Sequence, residues 1–297
     1  MHSQTNSHTQ HPKHMGDKPP FPQKRQPQPG QEKDMNPKPD YGLDSYVGHD
    51  KLKDKVAIIT GADSGIGRAV ALAYAREGAD VIINYNQSDD DANETLQAIE
   101  TTDRKGILFK ADIRDEVQCQ NLVERAITEF GRVDIVVNNA AFQESHESIL
   151  EITSDELDKT FKTNIYPMFY ITKAALPHMK EGGSIINTAS IQAFEPSSSL
   201  IAYATTKGAI VTFTKALSEE VIEKGIRVNA VAPGPVWTPL IPASMPDEKV
   251  QNFGKQVPMK RPAQPAELAP LYVFLASQDS SYVTGQIYGI TGGQFVA

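Results

Sequence analysis

"KVAIITGADSGIG", residues 55–67, runs from an apolar β-branched stretch into three glycines and then into a helical pattern. Val56 to Thr60 carries no charge and reads as a strand buried on both faces. Gly61 permits a tight turn, Gly65 lets a backbone approach a pyrophosphate, and Gly67 lets helix and strand pack closely. "GIGRAVALAYAREG", residues 65–78, then reads as a helix ending at Gly78. A helix that starts on such a turn aims unpaired N–H groups at whatever fills the loop. A glycine-rich loop gains meaning from its place after the first strand of a parallel sheet.

The rest of the chain supplies that context. Strand patterns "DVIINYN" (80–86), "KGILFKAD" (105–112), "VDIVVNNA" (133–140), "GSIINTAS" (183–190), "IRVNAVAPG" (226–234) and "GQIYGITGG" (285–293) follow. Helical patterns separate them: 89–102, 115–131, a long stretch from about 154 to 180, 199–221 and 265–277. Strands alternating with helices predict an α/β fold, one doubly wound Rossmann-type domain with about seven parallel strands covered on both faces. No internal repeat is visible.

Residues 1–50 differ from residues 51–297. Pro12, Pro19, Pro20, Pro22, Pro27, Pro29, Pro37 and Pro39 crowd a segment with almost no aliphatics, read as disordered or extended. Its first 30 residues are expected to be dispensable for activity and assembly. Tyr41, Leu43, Tyr46 and Val47 are expected against the body or a neighbouring subunit. His2, His8, His11 and His14 are irregularly spaced with no carboxylate or thiol to complete a site, so no metal is expected. The net charge of −8 argues against nucleic acid or anionic membrane as partner. One cysteine, Cys119, forms no internal disulfide and fits the cytoplasm. No apolar run is long enough for a membrane span, so none is expected, and the first residues lack an apolar h-region, so no secretory signal is expected.

Helix 199–221, "SLIAYATTKGAIVTFTKALSEEV", places Tyr203 and Lys207 one turn apart among small residues. On its own such a pair is a common surface feature. Together with "TGADSGIG" (60–67), "NNAA" (138–141), Asn164 in "FKTNIY", Ser190 in "INTAS" and "APGPVWT" (232–238), it resembles a short-chain dehydrogenase/reductase. The resemblance covers residues 52–297, in order, with Ser190 thirteen positions before Tyr203. The Pro-rich extension also resembles bacterial general-stress or glucose-dehydrogenase-like oxidoreductases.

The resemblance implies hydride transfer between a nicotinamide cofactor and an alcohol or carbonyl. Tyr203 is implied as general acid/base, Ser190 as the hydrogen-bond donor to the substrate oxygen, Lys207 as the holder of the ribose hydroxyls, and Asn164 as part of a water path. An ammonium about 4 Å from a phenol contributes on the order of 4 kcal/mol at an effective dielectric near 20, which is roughly a 3-unit fall in pKa. The implied cofactor contacts are Gly61, Asp63, Ser64, Gly65, Ile66 and Gly67; Asn86; Asp112 and Ile113; Asn138 and Ala140; and Pro233, Gly234, Val236 and Thr238, beside Tyr203 and Lys207. Gln192, Phe194 and Trp237 join Ser190 and Tyr203 around the substrate, under a lid from Trp237 to about Pro262 that contains Met245, Phe253 and Met259. A homotetramer is implied.

The second strand ends in Tyr85, Asn86 and Gln87, followed by Asp89, Asp90 and Asp91. No cation stands there for a 2′-phosphate, so NAD is favoured over NADP. The rival readings are an acyl-carrier-protein ketoreductase of the same family and a non-catalytic dinucleotide-binding protein.

Overall fold

The computed structural model describes residues 11–294. His2, His8 and the end of the C-terminal "TGGQFVA" lie outside the described residues. The chain runs β1 (Val56–Thr60), α1 (Gly65–Arg76), β2 (Asp80–Tyr85), α2 (Asp89–Glu100), β3 (Gly106–Lys110), α3 (Glu116–Phe130) and β4 (Ile135–Asn138). It continues with α4 (Ser154–Asn164), α5 (Tyr166–Ala175), β5 (Ser184–Thr188), α6 (Ile201–Val221) and β6 (Arg227–Pro233). The last elements are α7 (Leu240–Ser244), α8 (Asp247–Gln251), α9 (Ala269–Ala276) and β7 (Ile287–Ile290).

The strands form one parallel sheet in the order β3-β2-β1-β4-β5-β6-β7. Ala57 pairs with Val81 on one side and Ile135 on the other, so β1 is central. Alternation sorts side chains between two cores. Ala57, Ile59, Val81 and Ile83 face Val70, Tyr74 and Tyr272 of α1 and α9. Ile58, Ile82, Val136 and Ile185 face the layer with Leu122 of α3, Ile171 of α5 and Leu217 of α6. Cys119 is fully buried in that second layer, and burial pushes its thiol up to about 12, an inert packed sulfur. The order reverses between β1 and β4, which opens a crevice at the carboxyl ends of the strands.

Two expectations change. The single helix expected over 154–180 is two helices, broken at Ile165. Pro167 has no N–H to bond back to the preceding turn and starts α5 instead.

The second change is larger. Residues 11–50 carry little regular structure, as their prolines dictate, yet they are packed on the α/β body. Phe21 and Met35 are buried with Trp237, Ile241 and Val250 in a separate small core. Gln23, Gln26 and Glu32 are buried beside them. Two apolar side chains and the hydrogen bonds accepted by Gln23, Gln26 and Glu32 fix the segment, which composition alone reads as disordered or extended. Tyr41 lies over the Arg68 guanidinium at 5.0 Å, and the Tyr46 hydroxyl donates to Glu77 at 2.5 Å, whereas Leu43 and Val47 are exposed. No helix among the described residues is long and apolar enough to cross a membrane.

Candidate active site

The crevice at the switch point is a cleft of about 1010 Å³, at the upper end of the roughly 300–1,000 Å³ that small-molecule sites occupy. The glycine loop forms one wall. Gly65 has φ +54, a left-handed conformation that a side chain would strain, and Thr238 lies 3.0 Å from where its Cβ would stand. A Cβ on Gly67 would sit 2.0 Å from the Gly61 carbonyl oxygen, so α1 can pack on the end of β1 only with glycine there. Gly61, Asp63, Ser64, Gly65 and Ile66 line the cleft, while Gly67 supports them from behind. Asn86, Asp112 and Ile113 line the end near β2 and β3; Ala140, Pro233, Gly234, Val236 and Thr238 line the middle.

At the other end Ser190, Gln192, Tyr203 and Lys207 share the wall. Ser190 follows β5, and its Oγ accepts the Gln192 N–H at 3.1 Å. Tyr203 and Lys207 come from the first turns of α6, both buried. Lys207 Nζ donates to the Thr188 carbonyl at 2.7 Å and stands 5.2 Å from the Tyr203 ring centre. Thr188 ends β5, so one strand end fixes the ammonium while its continuation delivers Ser190.

The burial of Tyr203 works against the expected depression of its pKa. Burial pushes the phenol up to about 12, against the pull of its hydrogen bond with Ser190. Burial also pushes Lys207 down to about 7. Burial thus disfavours the charged form of both groups, and each charge gains most from the other's presence.

Asn164, at the end of α4, lies outside the cleft wall. Its Oδ1 accepts the Phe142 N–H at 2.7 Å, and its Nδ2 donates to the Phe142 carbonyl and to Thr206 Oγ1, both at 3.0 Å. It thereby ties the loop after β4 to the turn of α6 that carries Tyr203. A small cavity of about 10 Å³ beside it, at the lower limit for one water, is lined by Asn138, Asn164 and Thr188.

Three expected site residues stand elsewhere. Asn138 donates to Asn187 Oδ1 at 2.9 Å behind the cleft, and Asn139 lines the cleft in its place. Phe194 packs in the core with Met168 and Ile210. Trp237 is fully buried against Phe21, ring centres 4.2 Å apart, and faces away from the substrate end. It follows the cleft-lining Val236, and adjacent residues in extended backbone point to opposite sides. Met245 and Phe253 of the lid do line the cleft.

Sequence reading missed Gln28, Pro29 and Gly30, which bring the N-terminal arm into the cleft wall. Nothing in their composition signals it. Lys159 and Thr163 of α4 also line it, at helical spacing that a surface face would share.

Residues 61–294 match the family model described as "Enoyl-(Acyl carrier protein) reductase". General stress protein 39 of Bacillus subtilis is 52% identical over 269 residues, covering 91% of this chain and 94% of that protein. The chain belongs to the short-chain dehydrogenase/reductase family. An Arabidopsis thaliana protein named NADPH-dependent aldehyde reductase 1, chloroplastic, is 50% identical over 281 residues, covering 92% of this chain and 98% of its own. A Burkholderia cenocepacia short-chain dehydrogenase, solved with NADP, superposes with a TM-score of 0.77 at 32% identity over 82% of this chain and 98% of its own. This dehydrogenase/reductase is an NAD(P)-dependent oxidoreductase that performs hydride transfer at a CH–OH group. The glycine turn, the first-turn N–H groups of α1 and the elongated cleft fit a dinucleotide.

Proposed function

We propose that this dehydrogenase/reductase interconverts a small or medium-sized alcohol and its carbonyl partner, with Tyr203 as general acid/base. The meeting of Ser190, Tyr203 and Lys207 at one end of the dinucleotide cleft carries the reading. The nicotinamide, when bound, supplies the hydride chemistry and, in its oxidised form, a positive charge near the phenol. Tyr203 takes the alcohol proton in oxidation and returns it to the carbonyl oxygen in reduction. Ser190 donates a hydrogen bond to that oxygen as its charge develops. Lys207 holds the ribose hydroxyls and steadies the phenolate; Asn164 keeps the loop at Phe142 in register with α6. The substrate end mixes Gln192 with Met245 and Phe253, which suits a ligand with one polar head.

A panel of small alcohols, aldehydes and ketones with the purified chain and both cofactors tests the reading. Turnover of at least one pair is expected. NADH binding without turnover anywhere in the panel would instead favour a dinucleotide-binding protein without activity. The name of the Arabidopsis relative makes aldehydes the first compounds to try.

NAD is the preferred cofactor in this reading, because the cations near Asn86 are already engaged. Arg68 is buried among Glu32, Asp91 and Glu94, Lys110 pairs with Asp89, and Arg114 pairs with Asp112. The NADPH in the Arabidopsis relative's name and the NADP bound in the Burkholderia structure favour NADP through Lys110 or Arg114, both exposed enough to turn. Catalytic efficiency with each cofactor on one substrate decides between them. A homotetramer is supported by exposed apolar side chains on α4, α5 and the start of α6: Leu157, Tyr166, Phe169 and Ile201. Light scattering showing only monomer at micromolar concentration would refute it. The cytoplasm is the proposed compartment, on the free thiol of Cys119.

A further inference from the structure

The N-terminal arm touches both halves of the active site. On the lid it makes backbone bonds, Phe21 N–H to the Gln251 carbonyl and Gln26 N–H to the Pro242 carbonyl, both 2.8 Å. The Arg25 N–H donates to Asp247 at 2.6 Å, and Trp237 Nε1–H donates to the Pro37 carbonyl at 2.8 Å. Phe21 stacks on the Trp237 ring. These contacts hold α7, α8 and the start of the lid from one side.

On the cofactor half the anchor is Glu32. Its Oε2 accepts the Gly65 N–H at 2.7 Å, on the first residue of α1, and its Oε1 accepts from the buried Arg68 at 2.8 Å. The Glu32 N–H donates to Asp91 Oδ2 at 3.1 Å, and Lys33 pairs with Asp90 at 2.7 Å, both on the first turn of α2. The helix dipole and the orphan N–H groups favour the negative charge of Glu32, and Arg68 does too, against a burial that pushes the carboxyl up to about 7.

Between the anchors, Gln28, Pro29 and Gly30 line the same cleft as Ser64, Gly65 and Ile66. Gln28 Nε2 donates to Glu144 Oε2 at 2.5 Å, on the loop after β4. The segment is closed on itself by two glutamines: Gln23 Oε1 accepts the Asn36 N–H at 2.6 Å, and Gln26 Oε1 accepts the Gln31 N–H at 2.7 Å. A loop so closed moves as a unit, and the lid cannot swing from the cleft without breaking it or carrying it along.

We infer that residues 21–37 are a clasp that fastens the substrate lid to the glycine-loop half, with Phe21 and Glu32 as positioning residues and Gln28 facing the ligand, so that the arm controls release of the dinucleotide. Outside the arm, the lid is held by the buried Gln143–Ser244 hydrogen bond and by Thr238 packed on Gly65, and product release through lid motions limits many enzymes. The clasp supplies a further barrier to such motions from outside the α/β body.

The test uses the full-length chain with NADH as probe and three variants. Phe21→Ala removes the lid anchor, Glu32→Arg places a second guanidinium against Arg68, and Gln28→Glu sets a carboxylate beside Glu144 from an exposed position that leaves the core intact. Trp237 is the chain's single tryptophan, so its emission reports lid docking directly. In Phe21→Ala and Glu32→Arg the emission is expected to move to longer wavelength. Stopped-flow displacement of NADH is expected to be roughly tenfold faster than in the parent, the factor that about 1.4 kcal/mol of lost clasp energy gives. Gln28→Glu is expected to quicken release with Trp237 emission unmoved, and in all three the KM for NADH rises more than kcat changes. Release within about twofold of the parent, for variants of one site where affinity changes fall mostly on the off-rate, overturns the inference if found in Gln28→Glu together with either anchor variant. So does unmoved emission in Phe21→Ala.

Discussion

The α/β body and the N-terminal arm contribute to the same cleft by opposite means. The body offers regular elements: strand ends deliver Ser190 and the Thr188 carbonyl, and one helix delivers Tyr203 and Lys207. The arm offers isolated side chains on irregular backbone, each fixed by a partner far away in sequence, as Glu32 is by Gly65 and Arg68. Chemistry is built on the part whose geometry is set by repeated backbone hydrogen bonds. The arm's contribution is to hold, which needs only a few well-satisfied contacts.

Five changes separate the two contributions, beginning with the largest. Tyr203→Phe keeps the ring and removes the proton, so turnover is expected to fall by about 10² to 10⁴. NADH affinity, read by fluorescence titration, should fall by no more than about tenfold, since a neutral hydrogen bond is worth about 0.5–1.5 kcal/mol net. Near-normal turnover would remove Tyr203 from the mechanism.

Lys207→Met probes the body's buried charge through pH. The folded pKa of about 7 lies below the ordinary lysine value of 10.5 because burial penalises the ammonium. Between those values the unfolded chain binds more protons, so the parent gains stability as pH rises from about 7 towards 10. Below pH 7 both states are protonated and this gain is absent. Urea unfolding along that range should show a gain on the order of a few kcal/mol in the parent that Lys207→Met lacks. Parallel curves would mean that Lys207 is charged in the free enzyme.

Phe21→Ala probes the arm. A fully constrained core phenylalanine costs about 3–5 kcal/mol when truncated, but this one packs on a segment able to undock, so about 1–3 kcal/mol is expected in unfolding. For the same reason a chain lacking residues 1–30 is expected to lose NADH retention, since Phe21, Gln26 and Gln28 go with it, contrary to the dispensability that composition suggests. Equal NADH release by the truncated and full chains would restore that view.

Asn86→Arg, at the cleft end near β2, sharpens cofactor choice with the smallest expected effect. A guanidinium suits a phosphate, so the NADP-to-NAD efficiency ratio should rise about tenfold. An unchanged ratio would show that the 2′ position does not reach Asn86.

The sheet was readable because its strands are continuous β-branched runs punctuated by glycine, and backbone pairing needs nothing more specific. The meeting of Ser190, Tyr203 and Lys207 at one cleft end was readable for a related reason. The spacing of Tyr203 and Lys207 on one helix fixes their proximity locally, and Ser190 and the glycine loop sit at strand ends that the topology gathers at one edge. The break at Ile165 had a visible cause in Pro167, yet only packing shows that α5 resumes at once. Trp237 was misplaced because a one-residue change of face, invisible in composition, turns a pocket residue into a core residue.

From sequence alone, then, come the fold, the glycine turn and the grouping of Ser190, Tyr203 and Lys207 at one cleft end, since all depend on local pattern and strand order. The tertiary structure decided the burial of the Tyr203–Lys207 pair and the place of the arm. The pKa values of Tyr203 and Lys207 follow from how much water the surrounding residues exclude. The arm's docking rests on contacts such as Phe21 with Trp237 and Glu32 with Arg68, between residues too distant in sequence for any periodicity to link. Long-range contacts of single side chains leave no local trace, because each is specified only when the rest of the chain has folded to meet it.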